Sequence, residues 1–167
     1  MSNQKQLFIV RHGKSSWKYE SIDDIDRHLK EKGIHDAYKM AKRLKDKKIK
    51  PDLIISSPAA RAYHTASIFA RTLDYSPEDI TIQSHFYPGD DSKIINTIKE
   101  LDDNVDSVMI FGHNPAFTDV ANLFLSDNLD KLSTSGIAMV YFNTTSWKDI
   151  DKDNVEQVEI DYPKKKG

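Results

Sequence analysis

The stretch Leu7-Phe8-Ile9-Val10-Arg11-His12-Gly13-Lys14-Ser15 sets four consecutive apolar residues against an abrupt polar turn. An apolar run this short, followed by a glycine, predicts a strand buried on both faces. Arg11 and His12 then stand at that strand's carboxyl end. The signature returns twice: Leu53-Ile54-Ile55 runs into Ser56-Ser57-Pro58, and Val108-Met109-Ile110-Phe111 runs into Gly112-His113-Asn114-Pro115.

Between these runs the period changes. Over Lys32 to Lys47, residues Ile34, Ala37, Tyr38, Ala41 and Leu44 recur at helical spacing, with Lys39, Lys42, Lys45 and Asp46 opposite them. That pattern predicts an amphipathic helix laid on a sheet. Ser57-Pro58 reads as an N-cap and first-turn pair for a helix reaching about Leu73. Ile80-Thr81-Ile82 alternates as a strand, and Asp91 can cap a helix with Ile94, Ile95, Ile98 and Leu101 on one stripe. Pro115 leads into a helix that turns Phe117, Val120, Ala121, Phe124 and Leu125 inward. Ile137 to Phe142 and Val155 to Tyr162 read as an antiparallel edge hairpin across the polar loop Asn143 to Asn154, and the lysine-rich end from Pro163 reads as frayed. Strands alternating with helices place the chain in the α/β class. The expected architecture is a three-layer α/β/α sandwich with a mostly parallel central sheet, in one domain spanning residues 1–167.

Composition narrows the function. A chain of 167 residues can bury about 70% of its surface unaided, and the absence of Cys excludes a disulfide framework, a thiol nucleophile and thiolate metal sites. Charges nearly balance, with 24 Lys and Arg against 26 Asp and Glu. A nucleic-acid binder needs a basic excess for its phosphate contacts, so that class is disfavoured. No apolar segment approaches the ~18 residues that span a bilayer, and Met1 to Gln6 lack the apolar core of a secretion signal. Neither nucleic acid nor membrane is expected as a partner, and the expected location is cytoplasmic.

Ligands of open α/β sheets gather at the carboxyl ends of strands. Three such ends deliver Arg11 with His12, Arg61 in the first turn of the second helix, and His113, beside helix N-termini whose free N–H groups favour anions. Cations packed so closely repel one another unless an anion is normally present, so the expected ligand is a phosphate ion. Arg supplies a planar fork of donors to phosphoryl oxygens. A His beside two Arg is disfavoured as a cation and offers a neutral ring nitrogen as nucleophile. No His, Asp or Glu spacing matches a metal cage, and no metal is expected.

Arg11-His12-Gly13 after the first strand, Ser56-Ser57-Pro58-x-x-Arg61-Ala62-x-x-Thr65-Ala66, and Gly112-His113-Asn114, in that order, resemble the histidine phosphatase superfamily, also called phosphoglycerate-mutase-like. The form Arg11-His12-Gly13-Lys14-Ser15, Asp26-Arg27-x-Leu29-x-x-x-Gly33 and Tyr87-Pro88-Gly89-Asp90 resemble most its SixA-type phosphohistidine phosphatases. The likeness covers nearly the whole chain, with the final hairpin matching least distinctly. It implies the phosphoglycerate-mutase-like fold and a phosphohistidine intermediate on His12. It further implies that Arg11, Arg61 and His113 hold the equatorial oxygens, that water releases phosphate, and that no metal or organic cofactor takes part. Gly13, Ser15, Arg27, Asn114 and His85 are the further candidates for substrate contact.

The sequence departs from that pattern at two places. Mutase and phosphoester-hydrolase members usually carry a Glu or Asp proton donor near the end of the third strand or farther along the chain, whereas the matching stretch here, Gln83-Ser84-His85-Phe86-Tyr87, has no carboxylate, and His28 replaces the usual Pro after Arg27. His85, Asp90 and Asp91 are the ionisable groups nearby, and the sequence leaves the donor open among them or absent. An alkoxide leaves poorly without a general acid, worth ~10²–10⁴-fold, whereas an imidazole leaving from phosphorus needs less help. The substrate so implied is phosphohistidine on a phosphotransfer protein, such as a histidine phosphotransfer domain in signal transduction. Short connections without room for a cap suit a protein-borne group. A phosphatase of small phosphorylated substrates and a non-catalytic phospho-ligand module are the alternatives. Trp17 and Tyr19 read equally as pocket rim or as core, His28 and His35 as solvent-facing, and His64 as a surface or packing residue of its helix. The basic cluster from Lys42 to Lys50 reads as a solvated helix end or a contact for an acidic partner.

Overall fold

β1 (Gln4–Arg11) is the hub of the structure, a computed structural model that describes residues 4–18 and 21–165. Its side chains alternate between two cores, Leu7 and Ile9 on one face of the sheet and Phe8 and Val10 on the other. Both faces are covered, which is why the run is apolar throughout. β2 (Leu53–Ser56) and β4 (Ser107–Gly112) are buried in the same way. With β3 (Thr81–Ile82), β5 (Ile137–Asn143) and β6 (Val155–Asp161) they form one six-stranded sheet in the order β3-β2-β4-β1-β5-β6. The first four strands pair in parallel, whereas β5 runs antiparallel to β1 and β6 antiparallel to β5, so the expected hairpin closes one edge.

Helices α1 (Glu31–Asp46) and α2 (Ala60–Thr72) pack on the Phe8 face through residues such as Ala37, Leu44, Ala66 and Phe69. Helices α3 (Asp91–Lys99) and α4 (Ala116–Asn122) cover the Leu7 face through Ile94, Ile98, Phe117 and Val120. The result is the three-layer α/β/α sandwich. No helix among the described residues is long and apolar enough to cross a membrane.

Local expectations differ from the structure at several points. α2 begins at Ala60 with Ala59 as its N-cap, so Ser57-Pro58 is not the cap pair. On α1, Tyr38 is exposed and Met40 is buried instead, because Met40 and Ala41 follow Ala37 by three and four residues on one helical face. Asp90 rather than Asp91 caps α3, accepting the Lys93 N–H at 3.2 Å. The polar loop between β5 and β6 buries Trp147 and Ile150, and the Trp147 indole N–H donates to the Val105 carbonyl at 2.6 Å. The carboxyl end is pinned as far as Lys165. Arg43 donates to the Asp161 carboxylate and the Tyr162 carbonyl, both at 2.9 Å, and to the Lys165 carbonyl at 2.6 Å. His28 and His35 are exposed and His64 is partly buried, while Tyr19 lies outside the described residues.

Candidate active site

Arg11 on β1 pairs in register with Gly112 on β4. His12 and His113, each one residue past its strand, therefore emerge side by side, with ring centroids 5.1 Å apart. The His12 N–H donates to the Gly112 carbonyl at 3.1 Å, which fixes the spacing of the two turns. Gly112 has to be glycine, because a Cβ there would stand 2.4 Å from the Phe117 ring.

Nδ1 of His12 lies 2.6 Å from the Gly13 carbonyl oxygen. A carbonyl can only accept, so Nδ1 carries the proton and Nε2 keeps its lone pair. Burial, opposed by the Gly13 carbonyl and reinforced by Arg61, Arg11 and Arg27, lowers the His12 pKa to about 4. The imidazole is thus a neutral base at pH 7. The Gly13 N–H donates to Thr65 Oγ1 at 3.0 Å, and that hydroxyl donates to the Arg61 carbonyl at 2.8 Å, which ties the His12 turn to α2.

His113 has the complementary arrangement. Its Nε2 lies 2.7 Å from Ser57 Oγ, and Ser57 Oγ already accepts the Ala59 N–H at 3.1 Å. With the serine proton directed to Nε2, the neutral ring carries its own proton on Nδ1. Burial, then the proximity of His12 and Arg61, lowers the His113 pKa to about 3. His113 Nδ1, Arg11 Nε and Arg61 Nε are all buried without a hydrogen-bond partner. Buried donors are normally satisfied, so three of them around one cavity indicate where an acceptor-rich ligand belongs.

The cavity has a volume of about 400 Å³ and is lined by Arg11, His12, Arg61 and His113, with Ser15, Arg27 and Asn114 among its other walls. Arg27 Nη1 donates to Ser15 Oγ, and its guanidinium carbon sits 3.5 Å from the centroid of the Trp17 ring, placing Trp17 at the rim rather than in the core. Asn114 uses its polar atoms internally, donating to the Leu132 carbonyl at 2.9 Å and accepting from Thr118 Oγ1 at 2.8 Å. His85 does not line the cavity, because the turn Ser84–Phe86 carries its Nε2 to within 2.7 Å of Thr97 Oγ1 on α3. Asp90 and Asp91 line a separate cavity beside Asp119. No group of three or more His, Asp or Glu among the described residues could hold a metal ion.

Asp24, which sequence reasoning passed over, is a carboxylate bound to two of the cavity arginines. It sits in a 3-10 turn (Asp24–Asp26) in the connection from β1 to α1. Its carboxylate accepts from Arg27 Nε at 2.8 Å, Arg61 Nη2 at 2.9 Å and the Tyr87 hydroxyl at 2.7 Å. Its backbone carbonyl accepts from Arg61 Nη1 at 2.7 Å. Burial alone would raise the Asp24 pKa, but the three donors outweigh it and hold the carboxyl well below the usual range. Both Nη groups of Arg61 are thereby anchored, and Nε is left free.

A family model described as the histidine phosphatase superfamily (branch 1) matches residues 7–84, a stretch that contains His12 and Arg61. Over that stretch the chain is similar to the histidine phosphatase superfamily. The chain is also similar to a crystal structure from Agrobacterium tumefaciens assigned as phosphohistidine phosphatase SixA. That likeness is 29% identical, covers 81% of this chain and 90% of the other, and has a TM-score of 0.75. The fold also matches that of the protein histidine phosphatase SixA complexed with tungstate, at 24% identity, 95% and 97% coverage and a TM-score of 0.76. An uncharacterized chloroplastic protein of Arabidopsis thaliana is 29% identical over 89% of this chain and 71% of its own length. Phosphoglycerate mutase 1 of Saccharomyces cerevisiae is 35% identical over 41% of this chain, a match that spans 29% of the mutase. Within the superfamily the likeness is thus to the SixA type.

Proposed function

We propose that this chain hydrolyses phosphohistidine on a phosphotransfer protein, through a phosphoryl intermediate on His12. The observation that supports the reading is the distribution of protons in the cavity. His12 Nδ1–H is committed to Gly13, so Nε2 is the free base, whereas His113 Nδ1–H, Arg11 Nε–H and Arg61 Nε–H are buried donors that lack acceptors. A phosphoryl group in front of Nε2 would supply those acceptors. Nε2 forms a bond to phosphorus as the bond to the leaving group breaks, and the donors meet the charge on the equatorial oxygens. Water then attacks the same phosphorus, its bond to Nε2 breaks, and inorganic phosphate and free His12 are regenerated.

The leaving group follows from the acids within reach. Asp24 is held ionised, Asp90 caps α3, and His85 is engaged by Thr97. Among the described residues no proton donor is positioned for a departing alkoxide. A phosphohistidine whose ring is protonated on its other nitrogen departs as neutral imidazole and needs no donor. The tungstate complex of a similar fold and the SixA assignment of the Agrobacterium protein support the same reading.

The test is rapid-quench labelling followed by a substrate panel. Acid-labile, base-stable phosphate is expected on His12, with phosphohistidine turned over faster than aryl phosphates and aryl faster than alkyl. A His12→Ala protein with undiminished turnover would refute the mechanism, and a strong preference for alkyl esters would refute the substrate.

A further inference from the structure

The positive charge lining the cavity exceeds what one phosphoryl group requires. Arg11, Arg27 and Arg61 contribute three charges, and the Asp24 carboxylate paired with Arg27 and Arg61 offsets one. The two that remain match a phosphoryl group, which carries about −1.5 to −2 at neutral pH. Lys14 and Lys30 line the same cavity, and neither ammonium has an ion pair or hydrogen bond among the described residues. Among the described residues no Asp or Glu belongs to that lining.

The two lysines are held together by backbone. Ser15 and Leu29 form an antiparallel bridge, and the Lys30 N–H donates to the Lys14 carbonyl at 3.0 Å. Their backbone positions are therefore coupled. Trp17, from the same segment, is 72% exposed at the rim. The cavity of about 400 Å³ extends well past the space one phosphoryl group fills.

We infer that Lys14 and Lys30 form a second anion subsite that receives a carboxylate of the substrate protein lying beside its phosphohistidine. The carrier of the phosphoryl group rests on the function proposed above, whereas the charge preference of the subsite does not. Partners of this enzyme would accordingly present Asp or Glu next to the modified histidine, with the phosphoryl group held by the arginines and the carboxylate by the lysines. Such an acidic face would also be steered toward the cavity.

Two matched pairs of probes test the inference: phosphohistidine peptides with Glu or Gln flanks, and 4-carboxyphenyl against 4-carbamoylphenyl phosphate. The wild-type protein is expected to favour the acidic member of each pair by about two- to thirtyfold in kcat/KM, the range for two exposed ion pairs, and less so as salt is added. Lys14→Gln with Lys30→Gln should bring the ratio toward one, and Lys14→Glu with Lys30→Glu should reverse it. A wild-type ratio of one in both pairs, or a ratio unaltered in both double variants, overturns the subsite. Turnover of the aryl pair with none of either peptide overturns the phosphohistidine reading instead, and the aryl ratio then decides the subsite alone.

Discussion

Ser57 Oγ lies 2.7 Å from Nε2 of His113, and both residues are buried. By donating to Nε2, a buried serine hydroxyl just before α2 holds this cavity histidine in the Nδ1-protonated tautomer. Without it, Nε2 can take the proton and Nδ1 ceases to be a donor. Ser57→Ala is expected to lower kcat/KM about ten- to hundredfold, since a hydrogen bond to a charged group is worth ~1.5–3 kcal/mol. Steady-state kinetics on a folded Ser57→Ala protein decides this, and an unchanged kcat/KM would show that the tautomer does not depend on Ser57.

The two cavity histidines should also stand apart in a titration. Burial and neighbouring positive charge disfavour their protonated forms, so their pKa values fall to about 4 for His12 and about 3 for His113. From an unfolded pKa of about 6.5 down to those values, the unfolded chain binds more protons. Stability therefore rises with pH through that window and is lost on acidification. Imidazole NMR at pH 5.5 is expected to show both rings neutral, with Nδ1 protonated in each. Inorganic phosphate should move both titrations upward, because its charge offsets the arginines. Titration of His12 near its ordinary value in the free protein would contradict this.

How much of this site was legible depended on whether a residue followed a periodic element. His12 and His113 each follow a continuous apolar run, and parallel pairing of two such runs brings their ends together. Arg61 is carried by the helix after β2 and was equally readable. Asp24 lies in a turn with no apolar period, and its partners Arg61 and Tyr87 are 37 and 63 residues away. His85 was selected by its place after the third strand, but β3 has two residues and the turn beyond it directs the ring to α3. Trp147 escaped for a related reason: one aromatic in a polar stretch carries no period, yet it packs into the core, with its N–H groups satisfied by Val105 and Asp103.

Asp24 makes a pH-dependent contribution of opposite origin. Its carboxyl is depressed by Tyr87, Arg27 and Arg61 against the effect of burial. A depressed carboxylate stabilises the fold above its unfolded pKa of about 3.9, and that contribution is lost as pH falls toward the folded value. Because the side chain is 46% exposed, Asp24→Asn is expected to cost no more than ~1 kcal/mol at pH 7. Urea denaturation should show the deficit narrowing as pH falls from 5 to 3. A deficit undiminished at pH 3 would assign the effect to packing rather than charge.

Gly33, in the first turn of α1, faces the backbone that follows the His12 turn. A Cβ at Gly33 would stand 2.2 Å from the Lys14 carbonyl oxygen and 2.9 Å from the Lys14 nitrogen. Neither obstacle is a side chain that can swing away, so Gly33→Ala must displace the segment from Gly13 to Ser15. Overpacking of this kind costs about 1–3 kcal/mol, which the ~1 kcal/mol gain in helix propensity offsets in part. The same segment supplies the Gly13 carbonyl that holds His12 Nδ1–H, so the strain reaches the base itself. Gly33→Ala is therefore expected to lose kcat as well as stability. Ala37→Gly provides the control, because it weakens α1 at a buried position on the core face and leaves the Lys14 backbone untouched. Matched for stability by urea denaturation, the two variants should differ in kcat, with Gly33→Ala lower. Equal kcat values would mean that the loop retreats without moving Gly13.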